Sequence, residues 1–342
     1  MSSTGDTQSP SSSPNLPSKR KLADLLSSVL FRHAFRSDFT VNRGFLRLLD
    51  RKVPPSSTNR GVASFDTTLD SSSSDLWLRV YNPPTCSESD RVPVIIYFHG
   101  GGFVFGSADS QQIDSFSRDF AREIGAIVVS VNYRLAPEHR FPSPYDDGFR
   151  VLKAIDEGSI SKSLPENADI SRCFIAGESA GGNIVHHVTV RAAEYEFKRL
   201  RIAGMIAIQP FLGGEERTKS EIRFGRGGGL TLEVTDWYWK AFLPIGSSRD
   251  HPAANVVRSG SDVSGLKLPP ALVVNGGLDL LSDRIKEYCE WLERSGKEVR
   301  VVEYPNGIHG FSWFSDLPEY SMLMQDAREF TRQKGLVKLN PN

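Results

Sequence analysis

Ser179 stands in Gly177-Glu178-Ser179-Ala180-Gly181, between the apolar run Cys173-Phe174-Ile175-Ala176 and a stretch, Asn183 to Tyr195, that can form a helix. Holding a hydroxyl at the tip of a strand-to-helix turn forces the serine backbone into a strained conformation with almost no room beside it. Glycine on either side supplies that room. The same turn places Ser179 at a helix N-terminus, whose unpaired N–H groups stabilise developing negative charge. Strand, Gly-x-Ser-x-Gly turn and helix together match a known motif, the nucleophile elbow. Taken alone, the pentapeptide also fits a tight turn that happens to contain serine.

A serine that attacks an ester carbonyl generates a tetrahedral oxyanion, and preformed backbone N–H donors around that oxygen contribute roughly 10²–10³-fold each to the rate. After an apolar run ending at Phe98 comes His99-Gly100-Gly101-Gly102, where missing side chains let backbone amides approach a substrate closely. Gly101 and Gly102 are expected to donate from one side and Ala180, next to the nucleophile, from the other.

Serine also needs a base, and histidine is the side chain suited to proton shuttling near neutrality. Of the seven histidines, His33 lies near the N-terminus, His139 follows a Pro-Glu turn, and His186 and His187 sit inside the helix after the elbow. His99 belongs to the glycine loop and His251 begins another loop. His309, in Asn306-Gly307-Ile308-His309-Gly310-Phe311, follows the last strand candidate, where a late-arriving base would lie. The carboxylate that fixes the imidazole is expected to be Asp279, in a loop after the penultimate strand. Asp283, one helical turn on, is placed to cap the helix from Ile285 to Trp291. The order Ser179, Asp279, His309 is a nucleophile–acid–base order.

These residues need a scaffold of alternating strands and helices. Strand candidates are Leu76 to Tyr81, Val92 to Phe98, Ala126 to Asn132, Cys173 to Ala176, Ile202 to Gln209, Ala271 to Asn275 and Val299 to Tyr304. Helical stretches run from Phe116 to Ile124, Asp146 to Ile155, Asp283 to Arg294 and Tyr320 to Gln333. The alternation predicts an α/β chain with a mainly parallel sheet covered on both faces. Val92 to Tyr97 and Ile127 to Val131 are apolar without alternation, as central strands should be.

Outside this core, residues 1–20 are rich in Ser and Pro and are expected to form a disordered tail. Apolar residues recur at helical spacing from Leu22 to Leu49, which predicts two helices and a bend, with Asp38 and Asn42 as caps. Such a pair is expected either to lie as a lid (21–55) or simply to pack outside the core. Phe211 to Leu243 breaks the rhythm with charges, Gly227-Gly228-Gly229 and Asp236-Trp237-Tyr238-Trp239, and reads as a cap-like insertion (211–245). The rest, 21–342, is expected to be a single domain.

Lys+Arg and Asp+Glu both total 41 in 342 residues, so there is no electrostatic footprint for nucleic acid or an anionic membrane. A small neutral partner is more natural, and nothing identifies a protein partner. Cys86, Cys173 and Cys289 are widely spaced, without a Cys-x-x-Cys pair, which argues against a disulfide framework or zinc site. No cofactor or metal is called for. No segment approaches the roughly 20 apolar residues of a membrane span and the N-terminus lacks a signal-peptide core; the expected address is the cytosol, with the nucleus open.

The chain resembles the plant carboxylesterases of the hormone-sensitive-lipase group, through His99-Gly-Gly-Gly, Tyr133-Arg134-Leu135-Ala136-Pro137-Glu138, Gly177-Glu-Ser-Ala-Gly and the loops at Asp279 and His309. The resemblance implies an α/β-hydrolase fold and hydrolysis of small carboxylic esters in an aromatic-lined site, with Phe103, Phe105, Trp237, Tyr238 and Phe314 as candidate pocket residues. Within that group it is similar to the gibberellin receptors through Phe39-Thr40-Val41-Asn42-Arg43, Leu49-Asp50-Arg51-Lys52-Val53-Pro54 and Trp237-Tyr238-Trp239-Lys240-Ala241-Phe242-Leu243-Pro244. That second likeness implies a different function, binding of a diterpenoid hormone under an N-terminal lid by a protein that lacks the catalytic histidine. This sequence keeps His309, and it carries Gly102 where the receptors have Ser. The expected activity is therefore that of a serine carboxylesterase, with hormone binding as the alternative.

Overall fold

The computed structural model describes residues 33–56, 59–70, 73–84, 91–160, 163–226, 230–260 and 262–335; the expected tail, the Leu22–Leu30 stretch and the three-glycine run lie outside them. Eight strands form one sheet: β1 (Ala63–Asp70), β2 (Ser73–Asn82), β3 (Val92–Phe98), β4 (Ile127–Asn132), β5 (Ala168–Glu178), β6 (Ile202–Ile208), β7 (Ala271–Gly276) and β8 (Val299–Tyr304). Their order across the sheet is β1-β2-β4-β3-β5-β6-β7-β8. β2 pairs antiparallel with β1 and β4, and every other pairing is parallel.

The unbroken apolar run of β3 has the expected cause. Val94, Ile96 and Phe98 join one buried cluster and Ile95 and Tyr97 the other, because alternate side chains leave a strand on opposite faces. The first cluster is completed by helices α3 (Ser143–Glu157), α4 (Ala180–Ala193) and α8 (Ser282–Arg294), the second by α2 (Gln111–Ile124) and α9 (Pro318–Gly335). These helices begin up to five residues before their apolar periodicity suggests, since their first turns are polar. β1 escaped the sequence reading: Ala-Ser-Phe-Asp-Thr-Thr-Leu-Asp has little apolar content, and an edge strand with one neighbour needs little.

Near the N-terminus, α1 (Arg43–Leu49) is capped by Asn42, whose Oδ1 accepts from Phe45 N at 3.1 Å. Asp38 caps no helix; it accepts from Thr40 N and Oγ1 at 2.9 and 2.7 Å, closing a local turn. Phe35 packs against Trp237 and Tyr238 with ring centroids 4.7 and 5.5 Å away, and Trp237 Nε1 donates to Arg36 O at 2.8 Å. Trp237 and Tyr238 belong to α6 (Leu232–Phe242), which with α5 (Lys219–Phe224) forms the helical part of the 211–245 segment. The short α7 (Val256–Ser259) follows. Asp283 has a role other than the expected one: it makes no cap on its own helix, and its Oδ2 accepts from Ser220 N at 2.7 Å in the first turn of α5.

Candidate active site

In a parallel sheet the loops at the carboxyl ends of the strands gather on one side. Here those after β3, β5, β7 and β8 carry the glycine loop, Ser179, Asp279 and His309. Ser179 has φ 53° and ψ −116°, a left-handed conformation that disfavours any side chain by about 1–3 kcal/mol. Its N–H donates to Ile208 O at 2.9 Å and its carbonyl accepts from Phe211 N at 2.8 Å, so β6 and the segment after it hold the strained turn. Close approach explains the flanking glycine: a Cβ on Gly181 would stand 1.9 Å from Phe98 O.

His309 Nε2 lies 2.9 Å from Ser179 Oγ, and its Nδ1 lies 2.8 Å from Asp279 Oδ2. A carboxylate only accepts, so the proton of neutral His309 sits on Nδ1 and the Nε2 lone pair faces the serine hydroxyl. Burial pulls the His309 pKa down, but the charge and hydrogen bond of Asp279, with Glu178 adding to them, raise it overall above the usual value. Asp279 is fully buried and its Oδ1 accepts from Leu281 N at 2.9 Å. The sequence-predicted serine, carboxylate and histidine are thus brought into one hydrogen-bonded line.

Gly100 brings the glycine loop against Ser179: a Cβ there would lie 3.5 Å from Ser179 Cβ. His99 is buried and its pKa falls to about 4, mainly through desolvation, which keeps it neutral. Its Nδ1 meets Gly100 O at 2.7 Å, its carbonyl accepts from Tyr133 OH at 2.9 Å, and the two rings stack. The N–H groups of Gly101 and Gly102 donate to no backbone acceptor among the described residues, and Ala180 starts α4, where helical N–H groups have no intrahelical partner.

The remaining histidines are elsewhere. His186 Nδ1 pairs with Tyr288 OH at 3.0 Å and His187 Nε2 with Ala253 O at 3.3 Å, both beneath the site. His251 Nδ1 accepts from Ala253 N, and His33 packs on Phe45. Arg134 and Asp147 bind each other at 2.7 Å. Glu178 is buried and accepts from Trp313 Nε1 at 2.8 Å. Burial raises its pKa, and His309 and Trp313 partly offset that rise.

Of the candidate pocket residues, Tyr238 lies against Gly102 and Phe105 meets Trp313 edge to face at 6.2 Å. Phe103 is fully buried and stacked on Phe242 at 3.8 Å, so it fills the interior beside α6 and does not line an open cavity. Phe314 is 38% exposed. Gln209, read from sequence as the last residue of a strand, was missed. Its φ is 43° and its side-chain amide reaches both Asp279 and the His309 loop. A polar amide followed by Pro210 at the end of an apolar strand was the signal available. Among the described residues no cluster of His, Cys, Asp and Glu could hold a metal ion, and no helix is long and apolar enough to cross a membrane.

Sheet order, elbow and converging loops define an α/β hydrolase, and the chain belongs to that fold family, which matches residues 95–313; the carboxylesterase family matches residues 51–137. The protein is a carboxylic ester hydrolase of the plant type, near the gibberellin receptors in sequence. A gibberellin receptor of Arabidopsis thaliana is 40% identical over 309 residues, 86% of this chain and 88% of its own. A 3-O-acetylpapaveroxine carboxylesterase of Papaver somniferum is 37% identical over 277 residues, 77% and 87% of the two chains. A solved esterase of Pyrobaculum calidifontis superposes with a TM-score of 0.69 at 26% identity, over 94% of this chain and 95% of its own.

Proposed function

We propose that the protein is a serine carboxylesterase that hydrolyses carboxylic esters of small apolar molecules through an acyl-enzyme on Ser179. The observation that carries this reading is the position of His309, in reach of Ser179 Oγ through Nε2 and of Asp279 through Nδ1. As Oγ attacks the carbonyl carbon, Nε2 takes its proton and Asp279 stabilises the imidazolium. The oxyanion is received by the N–H groups of Gly101, Gly102 and Ala180. Collapse breaks the ester bond, and His309 returns the proton to the departing alcohol. Water, deprotonated by the same nitrogen, then attacks the acyl carbon and releases the acid and Ser179.

Tyr238, Phe105 and Trp313 beside the glycine loop support a preference for apolar esters. In this reading residues 211–245 act as a cap and the N-terminal segment as a lid on a single hydrolase domain, in contact through Phe35 and Trp237. Turnover of a short-chain nitrophenyl ester tests the proposal: activity in Ser179→Ala equal to wild type would sink it.

The same lid contact favours a second reading, a receptor that closes the N-terminal segment over a small apolar hormone. That function leaves the proton relay of His309 without a use. Calorimetry with bioactive gibberellins separates the readings, a saturable heat supporting the receptor and a flat titration removing it.

A further inference from the structure

We infer that Gln209 is a positioning residue for ester hydrolysis, fixing Asp279 and the backbone on both sides of His309 through one buried side-chain amide. The inference rests on the proposed roles of those two residues. Gln209 Nε2 donates to Asp279 Oδ2 at 2.7 Å and to Ile308 O at 2.9 Å, while Oε1 accepts from Gly310 N at 2.9 Å. The orientation of the amide is not arbitrary. Gly310 N can only donate and the carboxylate and carbonyl can only accept, so a flipped amide would lose all three bonds.

Ile308 and Gly310 are the immediate neighbours of His309. The loop that carries the imidazole is therefore gripped on each side of it, by the same group that bonds the carboxylate the imidazole must meet. Asp279 Oδ2 receives His309 Nδ1 and Gln209 Nε2 together, which leaves that oxygen few other directions in which to turn. The backbone is shaped to place this amide. Gln209 is fully buried at φ 43°, a conformation that glycine would adopt at less cost, and its N–H donates to Val274 O at 2.9 Å. The last residue of β7 leaves the space: a Cβ on Gly276 would stand 2.7 Å from Gln209 Nε2. Strain and space at a residue between two strands, spent on an amide that touches only the acid and the base loop, point to alignment of the proton relay.

Two variants test this, with wild type and Ser179→Ala alongside and active sites counted by titration with a nitrophenyl organophosphate. Gln209→Leu removes the bonds at similar volume and is expected to lower kcat by about 10–10²-fold, the loss a small misplacement produces, with KM within about twofold. Gln209→Glu keeps the shape and sets a second carboxylate beside Asp279. Carboxyls in contact share one proton, so the new side chain donates to Asp279 Oδ2, still accepts from Gly310 N, and is expected to hold kcat within about tenfold of wild type and above the Leu variant. A role in packing alone would lower thermal stability while kcat per titrated active site stayed at the wild-type value. If Gln209→Leu does not fold, Gln209→Met, which also lacks the bonds, takes its place. A folded Leu or Met variant with wild-type kcat per titrated site overturns the inference, as does a folded Glu variant no more active than the variant without the bonds. Should Ser179→Ala keep wild-type activity, the catalytic reading fails instead, which separates the two outcomes.

Discussion

Tyr238 is seated on Gly102 so closely that a side-chain carbon on residue 102 would stand 2.2 Å from its ring. The helix Leu232–Phe242 and the glycine loop are therefore fitted to each other, and the loop keeps its shape because residue 102 has no side chain. Gly102 also has φ 59°, which L side chains avoid. Gly102→Ser is expected to reduce kcat/KM by about 10²-fold, the scale of one lost oxyanion donor. Part of that loss comes from the Tyr238 ring, so Gly102→Ser is expected to be less harmful in a Tyr238→Ala background. Kinetics on the four proteins give the coupling, expected at about 0.5–3 kcal/mol; strictly additive losses would show that the contact does not shape the loop.

The proton relay makes a second prediction, about non-additivity. Asp279→Asn leaves a neutral group facing His309 Nδ1 and disturbs the tautomer, so kcat is expected to fall by about 10⁴. His309→Ala removes the base altogether. Combining either with Ser179→Ala is expected to add little further loss, because in the proposed mechanism the three act as a unit. Single-turnover rates of the single and double variants check this, and multiplicative losses would mean that the residues work independently.

The pH dependence follows from two shifts and their signs. His309 has a raised pKa: desolvation opposes the charged ring, but Asp279 and then Glu178 outweigh it. The proposed mechanism needs neutral His309, so the acid limb of kcat/KM is expected above the ordinary histidine value. Glu178→Gln removes one negative charge from the surroundings of the ring and should move that limb to lower pH. Glu178 itself titrates higher in the folded state than unfolded, chiefly because burial opposes its charge. It favours folding below its unfolded pKa, and that contribution is lost as pH rises through the folded value. Glu178→Gln should therefore raise Tm near about pH 8 more than near about pH 4. The opposite ordering would mean that the carboxylate is held as a stabilising anion.

The loops that bring Ser179, Asp279 and His309 together were legible in the sequence because each follows a strand candidate, and strand ends are marked by glycine and charge. The edge strand Ala63–Asp70 was not, since one-sided pairing leaves no strong apolar pattern. Asp283 was read for its local helix, yet its partner Ser220 lies 63 residues away, and a tertiary hydrogen bond across such a gap has no local signature. Gln209 was hidden for the same reason: its three bonds go to residues 70–101 positions downstream. The sequence places Phe103 next to the glycine loop as a candidate pocket ring, but no local pattern shows that it stacks on Phe242 in the interior.

Arg43 links the N-terminal segment to the glycine loop, and its geometry gives the last prediction. Its Nε donates to Glu138 Oε1 at 3.0 Å and its Nη2 to Ala136 O at 2.7 Å, while Nη1 donates to Val104 O, two residues beyond Gly102. One guanidinium thus ties α1 to the loop that carries the proposed oxyanion donors. Hydrogen bonds from a charged group contribute about 1.5–3 kcal/mol each when buried, and with the Arg43 side chain 28% exposed the net loss in Arg43→Ala is expected near about 1–2 kcal/mol. Thermal denaturation should register that loss as a lower Tm. The freed loop should also lower kcat/KM by about tenfold, the equivalent of 1.4 kcal/mol in the barrier. Arg43→Lys is expected to restore neither, because an ammonium cannot span a carboxylate and two carbonyls with a planar fork. Full recovery in the Lys variant would reduce Arg43 to a point charge near Glu138, and the N-terminal segment would then have no directional hold on the glycine loop.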